Sequence, residues 1–478
     1  MGSTALWQWD ATDLASAIRE RRVSAWEATT ASLDRILAVN PAVNALTEIS
    51  RDAALAAADQ ADARTASGVP LPPLHGVPVT TKINVDQAGS ATTNGVAAFT
   101  SLVAVEDSPQ VANWRKAGAI LLGRSNAPAF SCRWFTDNEP HGLTLNPWNP
   151  ALNVGGSSGG AAAAVATGMV PLAHGNDLAG SARLPASACG VYGLRPTTGR
   201  APAYNPTGKA ERSLCLQTGA TQGVLARSVR DIRLGLETMV GRDPRDPAWV
   251  PAPLDFPDDT ARHRVALFTG TADHAADAPV LAALRRAADA LADAGYEVVE
   301  AAPPRFDEAA ELWMTLLSND CRSPSARAAF ALGGEVFLRS LDLTAACVPA
   351  LTAEETLAGL GSRTTFQRAW QMFFEDFPLL LMPTAWSVPF PVGYDVRGVE
   401  EARRLLTAHS PCTATAFLGV PALSVPVHRG TDGPLGVQLV AGRFRDGLVL
   451  AAAAALEERL GAVTPIDPRP PSASVDPR

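Results

Sequence analysis

Residues 155–168 read GGSSGGAAAAVATG, and no side chain in this stretch is larger than valine. The alanine run is a strong helix former. A helix built of such small residues has no polar face to give to water, so it must be packed tightly on all sides. The fold therefore has to supply covering layers. With 478 residues, 47% of them hydrophobic, the chain can bury a large core.

The remaining elements alternate. Helical spacing is read at 12–22, from 24 to about 39, at 51–65, 228–240, 276–294 and 446–460, and over most of 306–375. Ser24 and Glu27 form a capping box at the start of the second of these, and NPAVNA at 40–45 is expected to break it. Strands are expected at 74–86, at the end of 111–128, at 170–177, 264–268, 296–301 and 435–442, with apolar segments at 378–384 and 421–427. Residues 131–153 read as irregular, 178–197 as a turn-rich loop, and 465–478 as a disordered tail. Such alternation predicts an α/β fold with a helix-covered, largely parallel or mixed sheet. No repeat or linker divides the chain. One domain over 1–478 is expected, with its core at about 60–240 and 410–465 and a variable lobe at about 259–410.

The net charge of −8 and a pI near 5.5 argue against nucleic acid as the main partner. The six cysteines form no CxxC pair, which argues against zinc and thioredoxin-like sites. They read as buried thiols of a reducing compartment. No signal-peptide pattern opens the chain, and no apolar run could span a bilayer. A cytoplasmic protein without membrane contact is the expectation. Lysine is scarce: Lys82, Lys116 and Lys209 are the only ones, so each invites a question about why arginine does not stand there.

The glycine–serine stretch admits several readings. A flexible linker would need polar flanks. A phosphate-binding loop needs a Lys-Ser/Thr that is missing. A dinucleotide fingerprint needs a preceding buried strand. A nucleophile elbow also needs that strand, and His409 and His428 sit in no setting that would complete it. A second glycine–serine site follows at GNDLAGSARLPA, 175–186, behind an expected strand. Its small residues let several backbone N–H groups converge, as an oxyanion requires. Three pieces then align: Lys82 ending an apolar strand, Ser157 in the first glycine loop, and Ser181 in the second.

On these motifs, together with GVPVTTKINVD, GVLARSVRD, GVPALSVPV and GVQLVAGRF, the chain resembles the amidase signature family of serine hydrolases over most of its length. The resemblance implies an α/β/α sandwich around a large mixed sheet. It also implies a triad in which Lys82 is the base, Ser157 the bridging serine with a cis backbone, and Ser181 the nucleophile. By the same resemblance the backbone N–H groups of Leu178, Ala179 and Gly180, with that of Ser181, hold the oxyanion. Ser158, Asp177 and Arg183 support the site. Cys132, Trp134 and Phe135 are assigned to the substrate pocket, with core packing as their alternative. His75 and His174 read as satisfied core or loop histidines. The chain departs from the usual family pattern at Val154, Asn176, Ala179 and Ala182, where proline, threonine, glycine and isoleucine are common.

Lysine is a base only when neutral. From its ordinary pKa of about 10.4, holding it neutral near pH 7 costs roughly 4–5 kcal/mol. Val77, Val79, Ile83 and Val85 around Lys82 offer the desolvation that could impose this. The expected reaction is cleavage of the C–N bond of a small, apolar amide through a Ser181 acyl-enzyme. No metal or organic cofactor is required. Acyl transfer to an amine, and the glutaminase subunit of a tRNA-dependent amidotransferase with its partner protein, are the alternatives. A homodimer is compatible with each reading.

Overall fold

Every residue of the helix Gly159–Ala166 is buried, as its composition demands. In the computed structural model, which describes residues 5–254, 263–271, 274–430 and 433–470, this helix lies against an eleven-stranded sheet. The strands are β1 (Leu46–Ile49), β2 (Pro78–Lys82), β3 (Ile120–Ser125), β4 (Leu172–Asp177), β5 (Tyr192–Arg195), β6 (Thr221–Ala226), β7 (Arg264–Leu267), β8 (Glu297–Glu300), β9 (Leu379–Pro383), β10 (Ala422–Gly430) and β11 (Gly433–Ala441). Their order is β1-β3-β2-β4-β6-β5-β10-β11-β9-β7-β8. The pairs β2–β3, β2–β4, β7–β8 and β7–β9 are parallel and the others antiparallel. The sheet is mixed.

Side chains alternate across a strand, and β9 shows what covers each face. Leu379 and Leu381 enter one apolar cluster, which contains the alanine helix and the N-terminal helices. Leu380 and Met382 enter another, built on Trp313, Phe366, Trp370 and Phe417. The result is the α/β/α sandwich. Among the described residues, no helix is long and apolar enough to cross a membrane.

The two edge strands are finished differently. On β1, the Asn40 side-chain amide donates to Leu46 O and accepts from Leu46 N, both at 2.9 Å. On β8, Glu297 and Glu300 stand exposed at either end.

Several local expectations need correction. The helix containing the capping box runs Ala25–Val43, through Pro41, and stops where Asn44 turns left-handed. Residues 178–197 are not all turn: they include the helix Arg183–Cys189 and β5. Their small residues look loop-like in sequence, but burial makes them regular. The strand expected over 74–86 is confined to β2. β1 and β6 were not anticipated at all. The expectation of buried thiols holds for Cys189, Cys215 and Cys412 and fails for Cys132, which is exposed, and for the partly buried Cys321 and Cys347. The tail begins ordered: Arg35 pairs with Asp467 at 2.7 Å, and Ile466 N and Arg469 N donate to Ala166 O and Pro147 O. Residues 471–478, also expected to be disordered, lie outside the described residues.

Candidate active site

β2 runs between β3 and β4, and each of its residues is buried. Its last residue, Lys82, is thus delivered by the strand into the protein interior. Its Nζ lies 2.7 Å from Ser157 Oγ and 2.7 Å from Asn176 Oδ1. Burial lowers its pKa from 10.5 to about 7, against the opposing pull of Asp177 and Cys132. The amine is therefore substantially uncharged at neutral pH. An amide oxygen only accepts. Asn176 thus takes one N–H of the amine and leaves the lone pair for the Ser157 hydroxyl. In the sequence Asn176 stood out only as a departure from a family pattern, and nothing there placed it on Lys82.

Behind the lysine, Lys82 N donates to His174 Nδ1 at 3.5 Å, while His174 Nε2 lies 2.9 Å from Gln222 Oε1. The ring therefore carries its proton on Nε2. Burial pushes its pKa down to about 3, so it adds no charge beside the base.

The first glycine loop turns sharply into the alanine helix. The Gly156–Ser157 peptide is cis. Gly155 has φ +83°, and a Cβ there would meet Pro185 Cα at 2.5 Å. Thr136, which sequence reasoning missed, clamps this loop: its hydroxyl donates to Gly155 O at 2.8 Å and accepts from Gly159 N at 3.2 Å. Ser158 N donates to Ser181 O at 3.0 Å, joining the two glycine loops. Its hydroxyl meets Asn176 O at 3.4 Å. Among the described residues, no hydrogen bond yet joins the Ser157 and Ser181 hydroxyls. Catalytic hydrogen bonds are often long before substrate binds.

The second loop follows β4. Asp177 receives Arg183 on both oxygens at 2.9 Å, and it also accepts from Gly180 N at 2.9 Å and Ala182 N at 3.2 Å. Burial alone would raise its pKa, but Arg183 and Arg195 hold it well below the usual carboxylate range. Asp177 and Arg183 together pin the turn that carries Ser181. Gly180 departs from expectation: its N–H is engaged by Asp177 inside the turn and does not face an oxyanion. Replacing Asp177 with alanine would leave two buried guanidinium groups short of a counter-charge. Urea unfolding of Asp177→Ala is expected to show a loss of about 3–5 kcal/mol.

The residues assigned to the pocket separate. Phe135 is only 2% exposed and packs with Phe390, Leu405 and Ala408, so it is a core residue. Trp134 is half-buried; its Nε1 donates to Ala179 O at 2.9 Å, and its ring meets His409 edge-on. Cys132 is exposed, yet its surroundings raise its thiol pKa to about 11, chiefly by desolvation, with Lys82 opposing. Phe130, two residues earlier, packs against Phe99, Phe330 and Phe337. His409 is buried beside Trp134 and has no hydrogen bond to either serine among the described residues. His75 is satisfied by Thr65 and Ala61, as expected.

A family model described as Amidase matches residues 27–450. The chain belongs to the amidase signature family. An indoleacetamide hydrolase of Bradyrhizobium diazoefficiens is 44% identical to this amidase over 95% of its chain and 87% of the relative. A glutamyl-tRNA(Gln) amidotransferase subunit of Salinispora arenicola is 33% identical over 97% and 99% of the two chains. The solved structure of a 6-aminohexanoate cyclic dimer hydrolase superposes with a TM-score of 0.83 and 30% identity, covering 98% of this amidase and 99% of that protein. The amidase hydrolyses C–N bonds of non-peptide amides.

Proposed function

We propose that this amidase hydrolyses the primary amide of a small aryl-substituted acetic acid, with Ser181 as nucleophile and Lys82 as base through Ser157. The observation that carries the chemistry is the fully buried Lys82 amine 2.7 Å from Ser157 Oγ, its pKa lowered by burial to about 7. The substrate class rests on the 44% identity to the indoleacetamide hydrolase. It is supported by the aromatic cluster of Phe99, Phe130, Phe330 and Phe337, which Phe130 joins two residues before Cys132 and four before Trp134, the residues assigned to the pocket.

Lys82 Nζ takes the Ser157 proton as Ser157 takes that of Ser181. Ser181 Oγ bonds to the amide carbon, and the carbonyl π pair moves onto oxygen. The N–H groups of Leu178, Ala179 and Ser181 receive that charge. The proton returns through Ser157 to the nitrogen, the C–N bond breaks, and ammonia leaves. Water, deprotonated by the same relay, then attacks the ester; the C–O bond to Ser181 breaks and the carboxylic acid departs. The chemistry needs no second chain, although a homodimer is compatible with it. All six cysteines are free, which fits the reducing cytoplasm.

The relatives that belong to amidotransferases favour one second reading, a glutaminase. Ammonia release from indole-3-acetamide, phenylacetamide and glutamine separates the two. The arylacetamides are expected to exceed glutamine in kcat/KM by about 100-fold. The reverse order would replace this reading with the glutaminase. Formation of an N-substituted amide in preference to the acid, when an amine is added, would make the protein an acyltransferase.

A further inference from the structure

Four consecutive peptide units of the nucleophile loop each have the carbonyl held by a donor. Asp177 O accepts from Arg195 Nη1 at 2.6 Å, and Leu178 O from Trp313 Nε1 at 2.9 Å. Ala179 O accepts from Trp134 Nε1 at 2.9 Å, and Gly180 O from Leu184 N at 2.8 Å. In a trans peptide the N–H points opposite to the C=O, so each fixed carbonyl aims the N–H of the next residue. Those are the N–H groups of Leu178, Ala179, Gly180 and Ser181. The third is engaged by Asp177. The other three have no acceptor among the described residues.

Three of these donors come from segments next to the two glycine loops. Trp313 does not. It lies on the helix Phe306–Arg322, 135 positions from Leu178 in sequence, within the lobe that sequence reasoning assigned to variable pocket structure. Its side chain is fully buried. Its ring packs on that of Phe417, tilted by 40°, and a Cβ added at Gly219 would meet Trp313 Cζ2 at 2.3 Å. The ring is wedged and its N–H has one direction.

We propose that Trp313 is a positioning residue for the reaction: by holding the Leu178 carbonyl away from the site, its indole N–H sets the Ala179 N–H toward the oxyanion. The proposal rests on Ser181 as nucleophile and adds the lobe as a source of oxyanion-loop order. It gives Trp134 a different rank, because the peptide that Trp134 holds sends its N–H to Asp177.

The test uses the full chain and a fluorophosphonate, whose phosphoryl oxygen occupies the oxyanion position when Ser181 displaces fluoride. Replacing Trp313 with β-(3-benzothienyl)alanine keeps the ring shape and removes the N–H. The second-order rate of Ser181 labelling is expected to fall about tenfold, with the acid limb of its pH–rate profile unmoved. Trp313→Phe is expected to show the same pair of results. An unchanged rate would overturn the proposal. So would a slower rate accompanied by a displaced acid limb, since that marks disturbance around Lys82 and not loss of an aimed donor. Absence of Ser181 labelling in the unsubstituted protein would instead remove the nucleophile assignment beneath it, and the proposal with it.

Discussion

Lys82→Met is expected to abolish amide hydrolysis while leaving the chain more stable than before. The base and the proton relay disappear together, so kcat should fall roughly 10⁴-fold or more. Stability moves the other way. The folded-state pKa of about 7 lies below the ordinary 10.5, so between these pH values the unfolded chain holds a proton that the folded chain does not. Stability therefore falls as pH drops through that window, and an uncharged side chain removes the penalty. Met also leaves Asn176 and Ser157 without their nitrogen partner, so the net gain at pH 7 is expected to be about 1–2 kcal/mol. It should shrink toward pH 10. Denaturant melts at two pH values measure it, and a difference that stayed the same from pH 7 to pH 10 would contradict a lowered amine pKa. The same pKa sets the acid limb of kcat/KM in the native protein: activity should fall below about pH 7 as the amine protonates. Asn176→Asp places a carboxylate where an amide oxygen stood, 2.7 Å from Nζ. That favours the ammonium, so the limb should move to higher pH.

Ser181→Ala is the second large effect. Fluorophosphonate labelling should vanish and kcat should fall by about 10⁴-fold or more. The fold should not notice. Ser181 is 8% exposed, and what ties it to its surroundings is its backbone carbonyl, which accepts from Ser158 N. Its hydroxyl has no hydrogen-bond partner among the described residues, so unfolding free energy should stay within about 0.5 kcal/mol. Intact-mass analysis after labelling reads the first outcome and urea melts the second. Undiminished labelling of the variant would move the nucleophile elsewhere.

The parts of this site that could be read in the sequence are those encoded locally. An all-small helix can only be buried, a lysine at the end of an apolar strand reads as desolvated once two glycine–serine loops stand beside it, and serine between glycines marks a tight turn. What escaped was set by long-range contact. β6 and β1 are short strands whose identity comes from their neighbours in the sheet. Asn176 and Thr136 look like ordinary polar residues until the fold brings the first to Lys82 and the second to Gly155. The Gly180 N–H looked like an oxyanion donor because adjacency cannot show that the Asp177 carboxylate curls back onto it. Phe135 and Trp134 are neighbours in sequence, yet one is core and the other reaches the nucleophile loop, a difference of facing that an irregular segment does not announce.

The two ends of the sheet have a consequence for how copies of the protein meet. At one end a side-chain amide imitates the strand that would otherwise dock there. At the other, a newcomer would have to draw the carboxylates of Glu297 and Glu300 out of water and set its own pair against them. Adding a strand is thus made costlier at both margins, which leaves the helical flanks as the easier faces for a second copy.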